Sequence, residues 1–133
     1  MADVSNGFRI LLADDNPLNR DLARRLLEKR GHSVAVVENG REALERLEQE
    51  TFDVVLMDLE MPEMDGFEAT RQTRQKEAAA AAPALTIIAM TAYDEEEMAD
   101  DIAAAGFSGI ITKPVNPKTI NDQLHAIVNN PGH

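Results

Sequence analysis

The chain has 133 residues, with 13 Lys and Arg against 24 Asp and Glu, so its formal net charge is −11. That length, with 44% hydrophobic residues, predicts one domain over residues 1–133, its core at about 9–128 and short tails at both ends. The acidic balance argues against a nucleic-acid surface, and the lack of cysteine excludes disulfides, thiol catalysis and thiolate metal sites. No apolar run approaches the roughly 18 residues of a membrane span, and Met1-Ala2-Asp3 does not open a signal peptide. The expectation is a cytoplasmic domain that inserts in no membrane.

The first predicted strand is Arg9–Ala13, followed by a helix with Asn16 as N-cap and Pro17 at its first position. Leu18, Leu22 and Leu26 share one face of that helix, and Gly31 closes it at the C′ position. A second strand, Ser33–Val37, turns through Glu38-Asn39-Gly40 into a helix from about Arg41 to Gln49, with Ala43, Leu44 and Leu47 inward. The third strand is read as Asp53–Met57. The third helix starts near Gly66, carries Phe67, Ala69 and Thr70, and frays through Ala78–Ala82 towards Pro83. Strand four is Thr86–Met90, and helix four begins near Asp94 and ends before Gly106. Strand five is Gly109–Thr112, and a fifth helix follows Asn116 as cap and Pro117 as first residue, with Ile120, Leu124, Ile127 and Val128 inward. The runs Ile10-Leu11-Leu12, Val54-Val55-Leu56-Met57 and Ile87-Ile88-Ala89-Met90 are continuous rather than alternating, as in parallel strands covered on both faces. Alternating strands and helices predict a doubly wound α/β sandwich with right-handed crossovers.

In such a sheet ligands bind beyond the carboxyl ends of the strands. Strand one runs into Asp14-Asp15, strand three into Asp58, strand four into Thr91 and strand five into Lys113-Pro114. Taken singly, each has an ordinary structural reading, since Asp caps helices and Thr or Lys often ends a strand. Together they are harder to dismiss. Like charges about 4 Å apart repel by about 4 kcal/mol at an effective dielectric of about 20, and Lys113 supplies one compensating charge. Oxygen-only ligation points to Mg²⁺ or Mn²⁺, and a metal beside a carboxylate, a hydroxyl and a lysine suits a phosphoryl group.

These residues resemble the receiver domain of bacterial response regulators over roughly Arg9 to Val128. The resemblance rests on Leu12-Ala13-Asp14-Asp15-Asn16, on Leu56-Met57-Asp58 through Met61-Pro62-Glu63-Met64-Asp65-Gly66, on Met90-Thr91-Ala92 and on Thr112-Lys113-Pro114. The Met-Asp-x-x-Met-Pro-x-Met-Asp-Gly form is most similar to receivers of hybrid sensor kinases; single-domain regulators share the module. The resemblance implies a flavodoxin-like (βα)5 fold with strand order 2-1-3-4-5. It implies that Asp58 takes a phosphoryl group from a histidine kinase or histidine phosphotransfer protein. Asp15 and Asp58 would ligate Mg²⁺ (with Mn²⁺ as substitute), Asp14 acting through water and the backbone carbonyl of Glu60 completing the set. Thr91 and Lys113 would bind phosphoryl oxygens, and the surface of helix four, strand five and helix five would switch. The domain would catalyse only its own phosphorylation and dephosphorylation. Lys113–Pro114 would be cis, and Met61-Pro62 and Asp65-Gly66 would shape the loop after Asp58, where Gly66 can take a positive φ.

Several features depart from the family pattern or stand outside it. Ile110 stands where many receivers have an aromatic residue that turns inward on activation. Tyr93, the only tyrosine, is read either as packing on helix four or, with Glu60, as a cover over the acyl phosphate. Asp94-Glu95-Glu96-Glu97 suits the dipole of helix four, while Asp100-Asp101 makes the signalling face acidic. Arg20, Arg24 and Arg25 beside Leu18 form either a solvated face or a basic rim around an apolar docking patch. His32, His125 and His133 are far apart in sequence and read as incidental. Three other readings remain open: an aspartyl-phosphate phosphatase of the haloacid dehalogenase kind, an unphosphorylated scaffold, and a flavin or nucleotide binder. The first would place Asp-x-Asp after strand one, and the last would need a phosphate-cradling loop there, whereas the chain has Asp14-Asp15-Asn16-Pro17.

Overall fold

Continuous apolar strands need cover on both faces, and the fold supplies it. A computed structural model of the chain describes residues 7–92, 95–113 and 115–129. In chain order it contains β1 (Arg9–Ala13), α1 (Pro17–Lys29), β2 (Ser33–Val37), α2 (Gly40–Gln49), β3 (Val54–Asp58), α3 (Gly66–Ala80), β4 (Thr86–Thr91), α4 (Glu95–Ala105), β5 (Gly109–Thr112) and α5 (Ile120–Val128). All pairings are parallel and the sheet order is β2-β1-β3-β4-β5, the expected order.

Alternate residues of each strand enter different cores, as the period of two requires. Leu11, Ala13, Val55, Met57, Ile87 and Ala89 face Ala43 and Leu44 of α2, Ala69 of α3, and Ile102 and Ala105 of α4. Ile10, Leu12, Val54, Leu56, Ile88, Met90 and Ile111 face Ala23 and Leu27 of α1 and Ile120 and Leu124 of α5. Ile110 is half-buried against the first of these cores.

Five expectations need correction. On α1 the inward residues are Ala23 and Leu27; Leu26 is half-buried, and Leu18 and Leu22 are 76% and 51% exposed. The stripe is rotated by one residue because small Ala23 lets the helix lie close to the sheet. β3 runs one residue later than expected: Asp58 pairs with Met90 inside the ladder, while the Asp53 carboxylate accepts the Arg9 N–H at 2.7 Å. α5 starts at Ile120, not at Pro117. Asn116 does cap, but it caps a turn, with its Oδ1 accepting the Lys118 N–H at 2.9 Å and its carbonyl accepting those of Thr119 and Ile120. Gly66 does not have positive φ; in that loop it is Glu63 that does, at 64°. Two histidines far apart in sequence are close in space: the His32 and His125 ring centroids lie 6.2 Å apart, and Phe8 stacks on His32 at 5.3 Å, while His133 lies outside the described residues. His32 is buried, accepts the Phe8 N–H at Nδ1 and meets Asn121 Oδ1 through Nε2, so its role is structural.

Helix termini otherwise follow the sequence. Asn16 Oδ1 accepts the N–H groups of Leu18 and Asn19. Gly31, at φ 91°, ends α1 with its N–H on Glu28 and that of His32 on Leu27, a Schellman closure. Asn39 and Asp65 cap α2 and α3. Tyr93, Asp94 and Pro114, and with Pro114 the expected cis bond, lie outside the described residues.

Candidate functional site

The crevice opens where the strand order reverses, between β1 and β3, which is where a parallel sheet leaves room beyond its strand ends. Asp14 and Asp15 follow β1, Asp58 ends β3, Thr91 ends β4 and Lys113 follows β5. The chain thus brings to one cleft the five side chains singled out along its sequence, together with Glu60; all six line a cavity of about 440 Å³.

One carboxylate oxygen from each of Asp14, Asp15 and Asp58 lies within 4.8 Å of the other two. Asp14, Asp58 and Thr91 are buried, whereas Asp15 is exposed. Lys113 Nζ sits between the buried pair, 2.9 Å from Asp58 Oδ2 and 3.3 Å from Asp14 Oδ2. Burial pushes the Asp58 carboxyl above its ordinary pKa; the hydrogen bond and charge of Lys113 oppose that rise, and the Asp14 charge adds to it. Burial works against the Lys113 ammonium, but the hydrogen bonds and charges of Asp58 and Asp14 outweigh it and hold the amine above its ordinary value. Lys113 is therefore charged throughout the neutral range. One cation for three carboxylates leaves net negative charge among hard oxygen donors, a set that fits a small divalent cation.

The backbone holds this arrangement in place. Asp14 donates its N–H to Val37 O at 3.2 Å, and its Oδ1 accepts the Asn16 N–H at 2.9 Å. The Arg20 guanidinium donates to the Asp14 carbonyl at 2.9 Å, a contact with no signal in the sequence because no spacing rule connects a helix side chain to a loop carbonyl. Lys113 N–H donates to Thr91 O at 2.7 Å, which fixes the lysine loop on β4. After β3, Glu60 N–H reaches Asp58 Oδ1 at 3.3 Å, and Gly66 N–H returns to Leu59 O at 3.2 Å. A Cβ on Gly66 would lie 2.2 Å from the Asp58 carbonyl oxygen, so glycine is needed there for close approach.

A doubly wound sheet of order 2-1-3-4-5 with a carboxylate cluster, a hydroxyl and a lysine at its switch point defines a class of flavodoxin-like domains that handle phosphoryl groups through a cation-competent acidic cleft. The model of the response regulator receiver domain matches residues 10–125, and the chain belongs to that family. Among its relatives is the sensor protein GacS of Pseudomonas syringae pv. syringae, 39% identical over 116 residues, covering 87% of this chain and 13% of that protein. The "uncharacterized 14.6 kDa protein in sodA1 3′ region" of Leptolyngbya boryana is 44% identical over 108 residues, covering 81% of this chain and 80% of that one. The receiver domain of a sensor histidine kinase from Pseudomonas aeruginosa PAO1, solved with a magnesium ion coordinated in its active site cleft, is 30% identical with a TM-score of 0.81, over 93% of this chain and 99% of that one. The chain spans 13–15% of the length of the kinase and sensor relatives it matches. It is a regulatory signalling domain of that family, homologous to the receivers of hybrid sensor kinases, and this homology supports a phosphoacceptor role in phosphorelay signalling. Among the described residues no helix is long and apolar enough to cross a membrane.

Proposed function

We propose that Asp58 is the phosphoacceptor, and that a histidine kinase or a histidine phosphotransfer protein is the donor. The supporting observation is the placement of Lys113 Nζ between Asp58 and Asp14 within a three-carboxylate cluster. An Asp58 carboxylate oxygen attacks phosphorus, the P–O bond forms as the P–N bond to the donor imidazole breaks, and the imidazole nitrogen keeps the electron pair. Lys113 stabilises charge on the transferred group in the half-buried cleft, where electrostatic positioning supplies most of such catalysis. Thr91 donates its hydroxyl to a phosphoryl oxygen. Asp14, Asp15, Asp58 and the main-chain carbonyl of Glu60 would hold Mg²⁺, or Mn²⁺ as substitute. Bound there, the ion supplies neutralisation of phosphoryl charge.

A phosphoryl group adds about −1.5 to −2 charges. Thr91 and Lys113 shift towards it, and the surface of α4, β5 and α5 changes population. Ile110 occupies the aromatic position of many receivers, so the coupling here runs through β4 and the Lys113–Thr91 backbone bond. We read residues 1–133 as one cytoplasmic receiver unit whose only chemistry is to gain and lose this phosphoryl group. Incubation with Mg²⁺ and acetyl phosphate, read by intact mass, is expected to add one phosphoryl group to the parent and none to Asp58→Asn. No gain, even from a phosphorylated histidine protein, would make the domain a scaffold. Turnover of many substrate equivalents would make it a phosphatase.

A further inference from the structure

Of the three arginines along the exposed side of α1, two are engaged with acids. Arg24 pairs with Asp21 at 2.8 Å and Glu28 at 3.3 Å, and Arg25 pairs with Asp21 at 3.0 Å. Arg20 is different: among the described residues it makes no ion pair, and it turns its guanidinium back onto the Asp14 carbonyl at 2.9 Å. That carbonyl belongs to the peptide unit joining Asp14 to Asp15. The Asp14 side is already fixed by Val37 O, the Asn16 N–H and Lys113. Asp15 is exposed, and Arg20 is the side chain that holds the peptide on its N-terminal side.

We propose that Arg20 is a positioning residue for the acidic cleft: by holding the Asp14–Asp15 peptide, it aims the Asp15 carboxylate at the cation that Asp14 and Asp58 share. This rests on the reading of the cleft as a Mg²⁺ site given above. Groups that orient ligands from behind typically cost about 10–100-fold in metal affinity when removed.

The test measures Mg²⁺ binding by calorimetry on the whole chain. Arg20→Met is expected to weaken binding at least about tenfold, with its unfolding midpoint in EDTA unchanged. Arg20→Lys, which keeps a donor for the carbonyl, restores part of the affinity. Arg30→Met, which removes a comparable bond from the C-cap residue of the same helix to Pro117 O (3.1 Å), leaves Mg²⁺ binding as in the parent. Labelling of Arg20→Met by acetyl phosphate recovers as Mg²⁺ is raised. Equal Mg²⁺ affinity in parent and Arg20→Met overturns the inference, as does labelling that stays low at saturating Mg²⁺. A parent that binds no Mg²⁺ instead overturns the reading of the cleft.

Discussion

Gly66 shows how one residue serves both packing and site. Its missing side chain lets the start of α3 lie against the Asp58 carbonyl, which a Cβ would approach to 2.2 Å, and against Met57 Cγ at 3.0 Å. The obstacle is backbone, so it cannot swing aside. Gly66→Ala is expected to lower stability in urea by about 2–3 kcal/mol and to reduce labelling of Asp58, whose main chain must shift; an unchanged midpoint would show that the loop gives way freely. The sequence made Asp14, Asp15, Asp58, Thr91 and Lys113 legible because each polar residue interrupts an apolar strand at its carboxyl end. It did not reveal what holds them. Gly66 suggested a turn with positive φ when the need was for space, and Arg20 acts across a loop by a side-chain bond that no periodicity records. His32 looked like a residue left over after a helix stop, yet it is a buried bridge from Phe8 to Asn121.

At the scale of elements, all five strands were located to within a residue, most plainly β1, β3 and β4, whose runs are buried on both faces and have no polar alternation to confuse them. Helix faces were harder. Leu18, Leu22 and Leu26 mark a stripe as clearly as Ala23 and Leu27 do, and only the tertiary packing decides which turns inward. Leu22 instead lines a cavity of about 260 Å³ with Met90, Val115 and Lys113 beside the cleft. The end of α3 carries a local cost. Ala81 adopts φ 53°, ψ 37°, while Ala81 and Ala82 donate to Ala78 and Glu77 in a helix stop that glycine usually makes. An L-residue in that region costs about 1–2 kcal/mol, partly offset by the greater entropy glycine loses on folding. Ala81→Gly is therefore expected to raise the urea midpoint, by up to about 1 kcal/mol in stability; a lower midpoint would mean that the backbone relaxes out of this conformation in solution.

For the whole molecule, the charge of −11 divides into acids that solvate the surface and three that face one another. On the proposed Mg²⁺ reading, the second group is expected to make stability depend on the cation. With Mg²⁺ at about ten times its dissociation constant, the folded state gains about 1.4 kcal/mol, and the melting temperature rises by roughly 3–6 °C. Asp58→Asn, with one ligand fewer, should show a smaller rise, while Lys113 keeps Asp14 as its partner. A parent whose melting curve is the same in Mg²⁺ and in EDTA would count against the cation site. The order in which the chain is made adds a consequence. The three carboxylates belong to residues 14, 15 and 58, whereas the ammonium between two of them arrives at residue 113, beyond the outermost strand of the sheet. The cleft is therefore complete only when the last strand of the sheet has paired, because Lys113 follows β5 and its N–H is held on Thr91 O.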